Sequence, residues 1–512
     1  MLLSEVVEVS ATVAATRSRL AKVAALADLL RRSAAPAVVS FLVGVPSQGR
    51  IGAGFRTVLD LAAAPAPEPV LTVADVDSAL AEFAATSGRG SAARRAELLA
   101  GLFGRATAAE QDFLKRLLTG ELRQGALEGV MLDAVARAAD VPGEVVRRAF
   151  MLSGRLPETA AAALSGGAAA LAEFRLEVGR PVRPMLASPA ESLSGALAEL
   201  GSCVVEHKLD GARVQVHRDG DEVRIFTRTL RDITGSVPEL VELVRGLPCT
   251  SVVLDGETLA LTDDGRPRPF QETMSRFGAL LPGAPAELGE DDLRRLLLSP
   301  FFFDCLHLDG ADLLDLPLRE RRAALERVAG RHVIASTVEP DDERAAAVLD
   351  EALGAGHEGV VVKSLDSAYA AGRRGRAWQK VKPVHTLDLV VLGVEWGSGR
   401  RTGLLSNLHL GARDPDGGPP IMVGKTFKGL TDELLAWQTR ELRARATEED
   451  DWTVRVRPDL VVEIELDGAQ VSPRYPGGVA LRFARVLRYR PDKDAGEADT
   501  IDAVRNLLPG TR

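Results

Sequence analysis

Cysteine is almost absent: Cys203, Cys249 and Cys305 lie far apart with no CxxC pairing. That excludes a disulfide framework and a four-cysteine zinc site, and it suits a reduced, intracellular protein. Aromatic residues make up only 4% of the chain, so any local cluster of them calls for a reason. Positive charge is not in excess either. The 63 Lys and Arg against 72 Asp and Glu leave a formal net charge of −9, so a surface for nucleic acid has to be local. No uncharged apolar stretch approaches the ~20 residues that span a bilayer, and Met1 to Glu8 lack the basic and apolar regions of a secretory signal. A cytoplasmic protein with no membrane contact is expected. Lysine is the last scarcity, with nine among the 63 cations, at 22, 115, 208, 363, 380, 382, 425, 428 and 493. Guanidinium cannot be deprotonated in a protein and an amine can, so a retained lysine suggests a task that arginine cannot do.

At 512 residues, 46% of them apolar, the chain has material for two to four conventional cores. Residues 1–175 are rich in Ala and Leu at helical spacing, as in Phe113, Leu114, Leu117, Leu118 and Leu122, then Val130, Leu132, Val135 and Ala138. An all-α unit is expected there, with a loop at Pro65-Ala66-Pro67-Glu68-Pro69. A boundary is expected between Gly166-Gly167-Ala168 and Arg180-Pro181-Val182-Arg183-Pro184. Over 176–382 strands alternate with helices, which predicts an α+β domain. Its apolar runs Val252–Leu254, Phe301–Phe303 and Val360–Val362 read as strands buried on both faces. Charged residues at their ends converge on a cleft. Over 383–512 the short strands Leu387 to Val394, Leu408 to Gly411, Thr453 to Val456 and Leu460 to Leu466, with a helix from about Thr431 to Arg445, suit a small β-barrel of the OB-fold kind.

The most informative segment is Glu206-His207-Lys208-Leu209-Asp210-Gly211-Ala212-Arg213. It follows the apolar Val204-Val205 and precedes the alternating Val214-Gln215-Val216-His217-Arg218, so Lys208 is held at a bend between two strands. An ammonium there, with an acidic neighbour and an arginine five residues on, becomes a nucleophile once deprotonated, suited to acyl or phosphoryl transfer. A surface lysine in a hairpin fits these eight residues equally well.

Lys208-Leu209-Asp210-Gly211-Ala212-Arg213 resembles the K-x-D-G-x-R signature of the covalent nucleotidyltransferases, the superfamily of ATP- and NAD-dependent DNA ligases, RNA ligases and capping enzymes. An ordered set of further matches follows. Arg228, after Ile225-Phe226-Thr227, matches an arginine that holds the nucleotide ribose, although on local grounds a solvated arginine fits equally well. Glu257, in Asp255-Gly256-Glu257, is a strand-end carboxylate placed for sugar hydroxyls or a hard cation, although such a segment is also an ordinary turn. Phe303, in Phe301-Phe302-Phe303-Asp304, matches a purine-stacking position, and Glu358, in Glu358-Gly359-Val360-Val361-Val362-Lys363, matches a ligand of divalent metal. Lys380 and Lys382 alternate onto one face of a strand and repel each other unless an anion lies between them. They read either as a triphosphate clamp or as an edge strand defended by lysine. Nucleotide contacts are thus implied at Glu206, Arg213, Arg228, Glu257, Phe303, Lys363, Arg376, Lys380 and Lys382, and Mg²⁺ ligation at Glu257 and Glu358. The basic segment Arg482 to Lys493 resembles the C-terminal motif whose R-x-D-K end orients the departing pyrophosphate; Ala484 stands where many relatives have proline. More loosely, residues 1–175 resemble the helical DNA-binding domain of such ligases. There the glycines of Phe41 to Arg56, with Arg50 and Arg56, are placed to approach phosphates, or form a structural loop.

The resemblance implies an ATP-dependent DNA ligase that uses Mg²⁺ and seals nicked double-stranded DNA, easily as a monomer. Lys208 is its catalytic nucleophile. Its amine has to be neutral although an unperturbed lysine has a pKa of about 10.4, and Arg213, Lys363, Lys380, Lys382 and the metal are the neighbours expected to help. An RNA ligase and a capping guanylyltransferase are the rival enzymes. The long helical N-terminal third favours duplex DNA, and the missing cysteine quartet argues against an NAD-dependent ligase. A non-catalytic DNA clamp would be the rival of another class, but Lys208 and Glu358 are both present.

Overall fold

The computed structural model describes residues 1–33, 35–49, 51–52, 57–58, 61, 63–122, 128–268, 272–273, 297–371 and 376–508. Arg50 and Arg56 lie outside the described residues, as do Arg373, Arg374 and Gly375.

In the N-terminal third the described elements are helical. Thr72 and Thr107 each accept a hydrogen bond from the backbone three residues on, while Asp75 and Glu110 reach back to the cap, so the helices Val73–Ala85 and Ala108–Thr119 start where the sequence supplies a capping box. Apolar residues at helical spacing then face inward, and Leu26, Phe41, Phe103, Phe113 and Val135 are fully buried in one core. The helix Glu128–Ala139 matches the expected Val130 to Ala138 pattern. Gly166 and Gly167 do not mark a boundary themselves: they lie inside the helix Leu156–Leu171, which kinks at Gly167 (φ 57°). The connection that follows runs through 172–189. It is strapped down by Gln215 and His217, which accept hydrogen bonds from the backbone of Val182 (2.8 Å) and Gly179 (3.1 Å). The helix Gly143–Ser153 packs forward, and its Met151 and Leu152 share an apolar cluster with Phe303, Tyr369 and Trp378.

The middle third holds two five-stranded sheets flanked by helices. One runs Ser188–Pro189, Trp378–Val381, Gly359–Ser364, Cys203–Lys208, Ser336–Val338; the other runs Glu222–Thr227, Ala212–Asp219, Ser251–Ala260, Leu298–Leu308, Ala311–Asp312. The three valine- and phenylalanine-rich runs are central strands, as their lack of alternation predicts. Leu209-Asp210-Gly211 is where the chain crosses from the first sheet to the second. Any Cβ at Gly211 would overlap the carbonyl oxygen of Thr258, so only glycine permits this crossing.

Beyond 383 a seven-stranded antiparallel sheet forms around the long strand His385–Trp396. Its first half pairs with Val461–Leu466 and its second half with Thr453–Val456, which wraps the sheet around the core. The helix Asp432–Ala444 matches the expected position. The strands Ile421–Thr426, Ala446–Glu449, Gly468–Val471, Val479–Arg482 and Arg485–Tyr489 are additional to those legible in the sequence. Hydrogen bonding among the described strands leaves the sheet open, a partial barrel rather than a closed one.

Candidate active site

Lys208 ends the strand Cys203–Lys208 and pairs in register with Gly359. The backbone N–H of Glu358 donates to the Lys208 carbonyl (3.0 Å), which sets the two side chains next to each other. Lys208 Nζ donates to Glu358 Oε2, and both side chains keep about a fifth of their surface exposed (20% and 19%), so this amine faces a cleft and not bulk solvent. Gly359 has a φ of 146°, and a Cβ there would collide with the Val381 carbonyl. The glycine therefore lets the strand end carrying Lys382 come up against Lys208 and Glu358.

Three cations close around this pair. Burial works to raise the Glu358 carboxyl, but Lys208, Lys382 and Arg482 hold it below the ordinary carboxylate range. Burial, then Lys382 and Lys208, lower the Lys380 ammonium. Lys382 Nζ donates to Asp467, and Arg482 grips Asp210 through two bonds (2.6 and 3.3 Å) while standing 3.6 Å from Glu358. Asp467 and Arg482 belong to the C-terminal third, so the cleft is made jointly by two regions of the chain. Glu257 faces it from the second sheet. Burial raises its carboxyl to about 7 against the pull of Arg213 and Lys208.

Behind the cleft lies a wall of buried pairs. Glu206 accepts from Lys363 (2.6 Å) and Arg322 (3.3 Å), and the Lys363 ammonium stands 4.3 Å from the Phe303 ring centre and 4.1 Å from that of Trp378. Burial lowers Lys363, with Glu206 opposing. Arg213 forks onto Asp255 (3.0 and 2.6 Å), donates to the Met185 carbonyl (2.7 Å) and lies 5.3 Å from the Phe303 ring centre. Phe303 meets Trp378 edge to face at 6.0 Å.

The structure thus brings Lys208, Glu257, Glu358, Lys380 and Lys382 to one cleft and places Glu206, Arg213, Phe303 and Lys363 in the wall behind it. Of the four cationic side chains expected to assist Lys208, Arg213 and Lys363 are turned onto buried carboxylates. Two further expected residues stand apart. Arg228 is exposed just after the strand Glu222–Thr227, and Arg376 is paired with Glu199. The R-x-D-K end is also elsewhere, because Arg490 and Lys493 both bind Asp388 within the C-terminal third; Arg482 at the start of that motif is the residue that reaches the cleft. Sequence reasoning missed Asp467, Tyr369 and Trp378 altogether. A signal for Asp467 was available, since Leu-Asp-Gly recurs at 209–211, 254–256, 308–310 and 466–468, and three of those four aspartates are now in the site or its wall.

A strand-end amine beside carboxylates, ringed by cations and backed by aromatics, suits chemistry on phosphates, and comparison with other proteins fixes the class. A model of the "ATP dependent DNA ligase domain" matches residues 184–382, one of the "DNA ligase N terminus" matches 46–136, and one of the "ATP dependent DNA ligase C terminal region" matches 401–493. A "Probable DNA ligase" of Rhodococcus jostii (strain RHA1) is 69% identical over 514 residues, covering 100% of both chains. One from Saccharopolyspora erythraea is 68% identical over 510 residues, 99% of this chain and 98% of the relative. In fold the chain is similar to the solved structure "Pmar-Lig_Pre.", with a TM-score of 0.62 at 17% identity over 95% of this chain and 99% of that one. The chain belongs to the ATP-dependent DNA ligase family. It is a DNA-joining enzyme with ATP as co-substrate and Mg²⁺ as metal.

Proposed function

We propose that this ligase seals nicks in duplex DNA through a covalent lysyl-AMP on Lys208. The neutral Nζ attacks the α-phosphorus of ATP, a P–N bond forms and pyrophosphate leaves. The AMP then passes to the 5′-phosphate at the nick, and the 3′-hydroxyl displaces it, closing the phosphodiester. The observation that carries this reading is the single cleft in which Lys208 meets Glu358, Lys380 and Lys382, with Phe303 in the wall behind. Lys380 and Lys382 are suited to the triphosphate, and Phe303, Glu206 and Lys363 to the base. Glu257 serves the ribose or the metal. Arg228 and Arg376 join only by turning their side chains inward, Arg376 by releasing Glu199.

Among the described residues no group of three or more carboxylate, imidazole or thiol side chains is gathered tightly enough to hold a metal ion alone. Two hard carboxylates, Glu257 and Glu358, in a phosphate cleft fit Mg²⁺, which is normally bound by one or two carboxylates together with substrate phosphates. When bound it neutralises charge on the phosphoryl group in transfer. We take the working units as a helical DNA-binding domain (1–175), an adenylation domain (176–382) and an OB-fold barrel (383–512) of which the open sheet is the visible part, acting as a monomer. No helix among the described residues is long and apolar enough to cross a membrane. The free thiols Cys203, Cys249 and Cys305 suit the reducing cytoplasm.

The test is labelling with radioactive ATP followed by nicked DNA and nicked RNA. Wild-type protein takes up adenylate and seals the DNA. Lys208→Ala takes up none yet still binds nicked DNA; a labelled Lys208→Ala protein would remove Lys208 from its role.

A further inference from the structure

Lys380, in the strand Trp378–Val381, and Lys382, one residue past its end, repel each other unless an anion is near, and the chain itself supplies one to Lys382. Lys382 Nζ donates to Asp467, and the same carboxylate raises the affinity of Lys380 and Arg482 for their protons. Asp467 lies in Leu466-Asp467-Gly468, between the strands Val461–Leu466 and Gly468–Val471. Its backbone N–H donates to the Arg482 carbonyl (3.0 Å), so two paired strands fix where the side chain points. The Lys382 and Asp467 side chains are 21% and 24% exposed, and Asp467 has Lys382 as its sole ion-pair partner among the described residues. A partly exposed pair of this kind is more easily exchanged for another than a buried one.

We propose that Asp467 is a built-in surrogate for nucleotide phosphate: it occupies the Lys380–Lys382 clamp and holds the C-terminal domain over Lys208 until a triphosphate takes its place. The inference rests on the reading of that clamp as the triphosphate site. A carboxylate and a phosphate oxygen seek the same ammonium, and two anions drawn to one lysine repel each other, so a triphosphate entering the clamp favours release of Asp467. ATP is received by the fraction of molecules in which Asp467 has let go, and the apparent affinity for ATP is lowered by that fraction. Asp467 touches neither ATP nor the reacting atoms in this scheme. It is a positioning residue that sets how readily the site loads.

The experiment compares wild type, Asp467→Asn and Asp467→Glu, all full length, for the ATP dependence of self-adenylation with labelled ATP. Asparagine keeps the shape and loses the charge, so the KM for ATP falls about five-fold while the maximal rate changes little. Glutamate keeps the charge and leaves the KM near the wild-type value. An unchanged or raised KM in Asp467→Asn overturns the proposal, and so does a KM in Asp467→Glu as low as that of Asp467→Asn, because charge would then not be the cause. If wild type itself fails to label, the fault lies with the reading of the site as a ligase centre and shows before any variant is compared.

Discussion

The ion pairs behind the cleft and those within it are built on opposite plans. Behind, Arg321 and Asp304 are fully buried and joined by two bonds (2.7 and 2.9 Å), with the carbonyls of Leu316 and Ser367 accepting two more from the guanidinium. Arg213 with Asp255 and Tyr369, and Lys363 with Glu206, follow the same plan within one domain. In front, the pairs Lys208–Glu358, Lys382–Asp467 and Arg482–Asp210 all keep roughly a fifth of their surface in water, and two of the three join different regions of the chain. A buried, fully satisfied pair is costly to break, whereas a wet one trades partners at little cost. Permanent charges hold the wall, and exchangeable charges line the cleft.

The contrast is broken most forcefully from behind. Arg321→Met strands the buried Asp304 carboxylate without its cation and is expected to cost about 3–5 kcal/mol of stability, read from denaturant unfolding of the full chain; a loss no greater than that of a surface variant would remove the distinction between wall and cleft. Next comes the crossing between the two sheets. Gly211→Ala forces a methyl group into the Thr258 carbonyl, for about 1–3 kcal/mol by analogy with overpacking, and moves Lys208 enough to suppress adenylation.

A smaller effect comes from Glu257. With its carboxyl raised to about 7 by burial, the folded chain keeps a proton that the unfolded chain, near 4.3, releases. Stability from this group is full below about pH 4.3 and is lost as pH climbs through about 7. In Glu257→Gln the difference in melting temperature from wild type should shrink at low pH and favour the variant at high pH. A difference that stays constant across that window would mean the carboxyl titrates normally. The smallest change in stability is expected from Asp210→Asn, which removes the Arg482 contact for less than about 1 kcal/mol. It should nevertheless loosen the C-terminal domain, seen as a larger radius in solution scattering. An unchanged radius would show that this pair does not hold the two regions together.

Much of this was legible in the residues. Lys208 and Glu358 sit in segments whose apolar runs fix them at strand ends, for which local pattern suffices; the alternation at Lys380 and Lys382 held less far, since the strand stops at Val381 and leaves Lys382 just past its end. What escaped was decided by contacts distant in sequence. Nothing near Arg213 says that it will fork onto Asp255 instead of facing the cleft, and nothing near Arg376 names Glu199. The Lys380–Lys382 pair did call for an anion, but its source 85 positions downstream of Lys382 came from tertiary packing that no local periodicity encodes. The short strands from Gly468 to Tyr489 were missed for a related reason. Each is four or five residues long, and interruption by Arg and Gly leaves no alternation to read.

Met151 and Leu152, at the end of the helix Gly143–Ser153, lie in one apolar cluster with Phe303 and Trp378. Trimming the chain back to residues 184 onward would therefore lay bare greasy surface directly beneath Phe303 and Trp378. The helical third is then more than an appendage: it helps to prop the aromatic wall behind Lys208.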